Sequence, residues 1–238
     1  MSIRILHNIK IKPTKMPPKA PKQPPTDLPI HAFPTATHLE TFLEREHATA
    51  PGFHLKFAKK ASGIQSVSPA EAVETALCFG WIDGRANPLD ADWWLVRYTP
   101  RRAKSIWSQK NVLTVARLLD EGRMRPAGLK AVEAAKADGR WERAYAGPAS
   151  MDVPVDFRES LNGSPAARDF FETLNKSDRY AVLWRVQTAS PAARPKRIEA
   201  LLGMLARGEK PGAVSGEKKR KDDGDGDGEG KDEKRARK

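Results

Sequence analysis

Residues 77–111, LCFGWIDGRANPLDADWWLVRYTPRRAKSIWSQKN, constrain the fold more than any other part of the chain. Residues 81–87 and 93–98 read as two strands, with the Pro88 to Asp92 segment as the turn between them. Along the second strand side chains alternate, so Trp93, Leu95 and Arg97 share one side and Trp94, Val96 and Tyr98 the other. One tryptophan of the pair must therefore point away from the core unless the second domain covers it. Phe79, Trp81, Trp93, Trp94, Tyr98 and Trp107 all fall within this stretch. No acid occurs from Trp93 to Leu119, whereas Arg97, Arg101, Arg102, Lys104, Lys110 and Arg117 are all basic. Apolar surface beside unopposed positive charge predicts a face for something anionic.

The neighbouring segments supply what such a hairpin needs in order to fold. Phe53, Leu55 and Phe57 alternate with His54, Lys56 and Ala58, the period-two pattern of a half-buried third strand. Three strands are the usual minimum for a stable antiparallel sheet. Ahead of it, Leu39, Phe42, Leu43 and Glu46 recur at helical spacing, and Pro51 and Gly52 stop that helix. Ser68, Pro69 and Glu71 form a capping box with proline at the first helical position; the helix they open buries Val73, Ala76 and Leu77 and ends at Gly80. After the Thr99-Pro100 break, Ser105 or Ser108 caps a helix with Val112, Val115, Leu118 and Leu119 as its stripe. Another begins at Pro126 and uses Leu129, Val132 and Ala135. Trp141 and Tyr145 are expected to fold back onto this pair as core. Beyond a linker at 147–154 the pattern is helical throughout, with Phe170, Phe171 and Leu174, then Tyr180, Leu183, Trp184 and Gln187, then Ile198, Leu201, Leu202 and Leu205. The fold class predicted is α+β: a small antiparallel sheet with helices over residues 35–147, followed by an all-helical domain over 155–210.

Charge separates the ends from the middle. Of the net +12, residues 1–27 contribute +5 and residues 217–238 only +1, leaving +6 for the middle. The Lys/Pro-rich segment 1–34 and the charged segment 215–238 are too polar for a core and are expected to be disordered. A mitochondrial transit peptide is the less favoured reading of the first segment, which is Lys/Pro-rich where such peptides are Arg/Ser-rich. No apolar run approaches the ~20 residues of a spanning helix, so membrane insertion is not expected. The single cysteine, Cys78, permits no internal disulfide and suits a reducing compartment.

The motifs LCFGWIDG, TPRR, SIWSQKN and AGLKAVEAAKADGRWERAY, with SPAARDFFETLN and RIEALLGMLARGE further on, resemble the bacteriocin-protection, YdeI/OmpD-associated (OmdA) family over residues 35–210. That resemblance implies stress tolerance towards bacteriocins or antimicrobial peptides, and implies no catalytic residue set and no cofactor. The Lys/Pro arm and charged tail depart from the bacterial pattern and read as eukaryotic additions.

The leading functional expectation is a non-enzymatic binding or protective protein. Its ligand-binding residues would be Trp81, Asp83, Trp94, Arg97, Arg101, Arg102, Lys104, Trp107 and Asn111, holding an anionic ligand or acidic partner. A nuclear nucleic-acid-binding protein and an enzyme of unknown reaction are the alternatives. Cys78 reads as a buried small hydrophobe, and Glu74 and Asp83 as ion-pair partners orienting Arg97 or Arg101. The histidines lack metal-ligand spacing, and DDGDGDGEG lacks the terminal glutamate of a calcium loop. Lys218, Lys219, Arg220 and Lys221, followed after a spacer by Lys234, Arg235, Arg237 and Lys238, have the form of a bipartite nuclear-import signal, which gives nucleus or cytoplasm as the expected location. A fluorescent fusion of the chain should concentrate in the nucleus of a eukaryotic cell, and alanine at all eight positions should even out its distribution. Unchanged nuclear accumulation in that variant would remove the import signal from these clusters.

Overall fold

The structure, a computed structural model, describes residues 24–212 and 214. The import clusters lie outside the described residues, as do residues 1–23. The described residues form two compact units, the first ending at Ala144 and the second beginning at Tyr145. None of their helices is long and apolar enough to cross a membrane.

The first unit is α+β. Its strands are β1 (Ile30–Ala32), β2 (Phe53–Ala58), β3 (Trp81–Pro88) and β4 (Trp93–Pro100), in the spatial order β1-β2-β4-β3. β2 and β3 each run antiparallel to β4, as the alternation predicts. Phe53, Leu55 and Phe57 stand opposite Tyr98, Val96 and Trp94, and this face belongs to the core. His54, Lys56 and Ala58 pair with Arg97, Leu95 and Trp93 on the other face. Trp93 is thus the tryptophan that points away from the core, and the Lys56 ammonium lies 4.3 Å from its ring centre.

β1 corrects two expectations. The sheet is mixed, because β1 runs parallel to β2, and residues 30–32 are a strand within the segment read as an arm. The cause is local. The Pro29 carbonyl accepts the His54 N–H at 2.8 Å. His54 Nε2 donates to one oxygen of Asp27 at 3.0 Å while Arg97 donates to the other. Those two partners hold the Asp27 carboxyl at about 2, below its ordinary value. Phe33 then packs against Phe42 and Phe53, with ring centres 5.4 and 6.3 Å away.

Four helices complete the unit: α1 (Ala36–Glu46), α2 (Pro69–Cys78), α3 (Gln109–Asp120) and α4 (Pro126–Ala137). Both halves of the α2 capping box form, and Ser108, not Ser105, caps α3. Cys78 is buried in the core these helices share with the sheet, where desolvation raises its thiol pKa. Trp141 packs on that core at 4.9 Å from Trp107. Tyr145 does not join it; it belongs to the second unit, against Trp184 at 6.0 Å.

The second unit holds α5 (Val155–Asn162), α6 (Pro165–Thr173), α7 (Lys176–Gln187) and α8 (Arg194–Ala206). They enclose a separate core of Phe157, Leu161, Phe171, Val182, Leu183, Val186, Ile198, Leu201 and Leu205. Pro195 sits in the first turn of α8, where its missing N–H costs nothing.

The tightest contact of the first unit joins the end of α2 to the first turn of α4. Arg125 donates its backbone N–H to the Cys78 carbonyl at 3.0 Å. A Cβ at Gly128 would lie 2.2 Å from that same oxygen, and backbone cannot yield as a side-chain tip can. Gly128→Ala therefore trades a helix-propensity gain of about 1 kcal/mol for a steric cost that forces the helices apart. Urea unfolding should show a net loss of roughly 1–3 kcal/mol, the range for overpacked cores. A variant as stable as the parent would show that this approach is not a tight one.

Candidate functional site

A cavity of about 350 Å3 opens where four segments of the first unit converge. The end of α1 supplies His47, the turn from α2 into β3 supplies Phe79, Gly80 and Trp81, and the bend after β4 supplies Pro100 to Ala103. α4 forms a wall with Ala127, Lys130, Ala131 and Ala134, and Arg140 follows it. Spacing of three and four along α4 puts those residues on one helical face. Three of them are alanine, which leaves the room.

Gly80 makes the corner possible. Its φ of +73° is one that L side chains rarely adopt, and a Cβ there would meet the Ala127 carbonyl oxygen at 2.8 Å. The turn delivers Trp81, fully buried, whose indole N–H reaches the His47 carbonyl at 3.3 Å. His47 Nδ1 in turn donates to the Leu43 carbonyl at 2.8 Å and its ring lies 5.3 Å from Phe79.

The electrostatics are one-sided. Arg101, Arg102, Lys130 and Arg140 line the cavity and no carboxylate does. The four cations are held differently. The Arg101 guanidinium lies 3.5 Å from the Trp107 ring centre and donates to the Ile106 carbonyl at 3.1 Å. Its backbone N–H extends the β-ladder to the Gly80 carbonyl at 2.9 Å. Arg140 is committed to Asp138 at 2.7 Å and to the Ser105 carbonyl at 2.8 Å. Ser105 Oγ accepts the Arg102 backbone N–H at 2.9 Å, closing the bend. The side chains of Arg102 and Lys130, both exposed, make no hydrogen bond or ion pair within the described residues.

Of the nine residues expected to bind a ligand, the structure places Trp81, Arg101 and Arg102 on the cavity, with Trp107 behind Arg101 as its stacking platform. Trp94 stacks on Phe57 at 4.8 Å on the core side, and Arg97 is engaged by Asp27. Lys104 is exposed, and Asn111 is half-buried with its backbone N–H capped by Ser108 Oγ at 3.1 Å. Asp83 is exposed as a residue, opposite Tyr98 on β4; desolvation nevertheless raises its carboxyl, against the pull of Arg101 and Lys110. Glu74 does not orient Arg97 or Arg101. It pairs with Arg117 at 2.5 Å and Arg123 at 3.3 Å. His47, Lys130 and Arg140 are cavity residues that the sequence reading missed. The signal available for Lys130 was the small-residue face Ala127, Ala131 and Ala134, which the larger stripe of Leu129, Val132 and Ala135 concealed.

Two family models match the chain, one in each unit. Residues 31–131 match a domain of unknown function (DUF8412), and residues 150–208 match the family described as Bacteriocin-protection, YdeI or OmpD-Associated. The second unit is similar to that family over α5 to α8. The aromatic–basic motifs at 77–111 fall within the first match, so the OmdA similarity rests on α5 to α8; the cavity residues fall within the first match except Ala134 and Arg140, which follow it. No curated protein and no solved structure matches the chain.

The unequal anchoring of the two arginines is open to measurement. Arg101→Ala removes a charge-assisted hydrogen bond and a cation–π contact, and should lower unfolding free energy by about 1–3 kcal/mol. Arg102→Ala should leave it within about 0.5 kcal/mol, as surface substitutions usually do. Equal losses in the two variants would contradict this division.

Proposed function

We propose that the chain is a non-enzymatic binding protein of the bacteriocin-protection, YdeI or OmpD-associated kind, and that its first unit holds an anionic ligand in the cavity between the β4 bend and α4. The observation behind this reading is the lining: four cationic side chains, no acidic one, and apolar walls from Phe79, Ala127, Ala131 and Ala134. A hollow of that volume is in the range of small-molecule sites, and charge of one sign within low-dielectric walls concentrates the opposite charge. The binding reading is favoured over catalysis because the lining offers neither a carboxylate nor a thiol, and its one imidazole, His47, is turned by Nδ1 onto the Leu43 carbonyl with no nucleophile beside it in the lining. Cys78 is buried with its pKa raised, the reverse of an activated thiolate. The basic clusters at Lys218–Lys221 and Lys234–Lys238 have the form of an import signal, and in a nuclear role an oligonucleotide would be the anionic partner.

A thermal-shift screen of anions (nucleotides, oligonucleotides, acidic peptides and small organic acids) on the full chain at low ionic strength should yield stabilising ligands. Their effect should weaken as salt screens the cavity charge. Ala134→Trp should abolish that stabilisation by filling the cavity, at an intrinsic helix-propensity cost of only about 0.5 kcal/mol. Ligands that stabilise Ala134→Trp as well as the parent would place the anion site elsewhere.

A further inference from the structure

The four cations of the cavity are not equivalent, and their inequality specifies the ligand. Arg140 already commits Nε to Asp138 and Nη1 to the Ser105 carbonyl, and its side chain is only 14% exposed. Arg101 is laid flat on Trp107 and bonded to the Ile106 carbonyl. These two shape the bend and supply fixed background charge. Arg102 and Lys130 approach from different walls, one from the bend and one from α4, and neither side chain has a hydrogen-bond or ion-pair partner within the described residues. Both border the same hollow with their donors uncommitted, so an anion lodged there can meet either. The rest of the lining differs in character: buried Phe79, half-buried Ala127 and Ala131 and exposed Ala134 present carbon, and the Trp81 indole N–H is already used by His47.

We infer that the ligand is a small amphipathic oxyanion, with its carboxylate or phosphate between Arg102 and Lys130 and its apolar body against Phe79, Ala131 and Ala134. This rests on the cavity being an anion site, as proposed above, and adds the ligand's class and the two residues that select it. An inorganic anion would satisfy the cations and leave the apolar walls wet. A neutral apolar molecule would fill the walls and leave both cations without a partner. Only a molecule with both parts removes both costs, since apolar burial and charge-assisted hydrogen bonds then add in one pose.

The test is calorimetric titration of the full chain at low salt with four probes: 3-phenylpropionate, phenyl phosphate, inorganic phosphate and 3-phenylpropanol. One or both amphipathic anions should bind at least about tenfold more tightly than either single-feature probe, the scale of one hydrogen bond to a charged group. Which of the two binds better identifies the head group. Arg102→Gln and Lys130→Gln should each weaken the preferred probe several-fold, and together bring it to the level of 3-phenylpropanol. Neither substitution should lower the melting temperature of the unliganded chain. Inorganic phosphate binding as tightly as phenyl phosphate, phenylpropanol binding as tightly as phenylpropionate, or full affinity in the double variant would each overturn the assignment. If no probe binds while another anion is found whose effect Ala134→Trp blocks, the ligand class is wrong and the cavity reading survives. If no anion binds at all, both fall.

Discussion

The close approach of α2 and α4 is the contact on which the first unit depends. At Cys78 the carbonyl oxygen is both the acceptor for Arg125 N–H and the atom that bars any side chain from position 128. Two residues on, Gly80 reverses the chain under the Ala127 carbonyl and starts β3. α4 can therefore neither slide nor lift without breaking the turn that starts the hairpin. The register of β3 on β4 follows from Trp81 opposite Pro100, and the next backbone bond, Arg101 N–H to Gly80 O, starts the basic bend. A glycine pair chosen for contact distance thus also determines where the cations stand.

Around that contact, most arginines of the unit are consumed by neighbours. Arg125 reaches Glu40 and Glu44 on α1, and Arg117 and Arg123 share Glu74 and Glu121. Such partly exposed pairs contribute little stability each, but they decide which charge is left over. Sequence alone shows six basic residues without an intervening acid and invites the view that all are available. In the folded unit the acids come from elsewhere in the chain: Asp27 to Arg97, Glu74 to Arg117, Asp138 to Arg140. Arg102 and Lys130 are what remains around the cavity.

The elements legible in the sequence were those with strong local signals. Alternation in 53–58 and 93–98, the Ser68 capping box and the prolines at the starts of α2, α4 and α6 all specify structure within a few residues, and the strands and helices lie there. β1 was not legible, since three residues after a proline-rich run show no period and its parallel partner lies more than twenty positions away. The site was half legible. Its aromatic and basic residues stood out, whereas its opposite wall is defined by what alanine lacks, and small side chains leave no hydrophobic period to detect. Tyr145 illustrates the remaining gap: an aromatic beside Trp141 in sequence packs in the other unit, because contact partners more than a few residues away are invisible to local pattern.

The two family matches coincide with two separate cores, and this bears on how function can be divided. Phe157, Phe171, Val182 and Leu201 close the helical unit without any residue of the first unit's core, and Phe53, Trp81, Tyr98 and Trp107 close the first without the second's. Units with their own cores respond to substitutions independently when the altered residues share no partners. Changes at Arg102, Lys130 or Ala134 therefore act on the cavity while leaving the core of the second unit intact. A protective phenotype that follows the cavity variants would trace to the first unit, and one indifferent to them would trace to α5–α8.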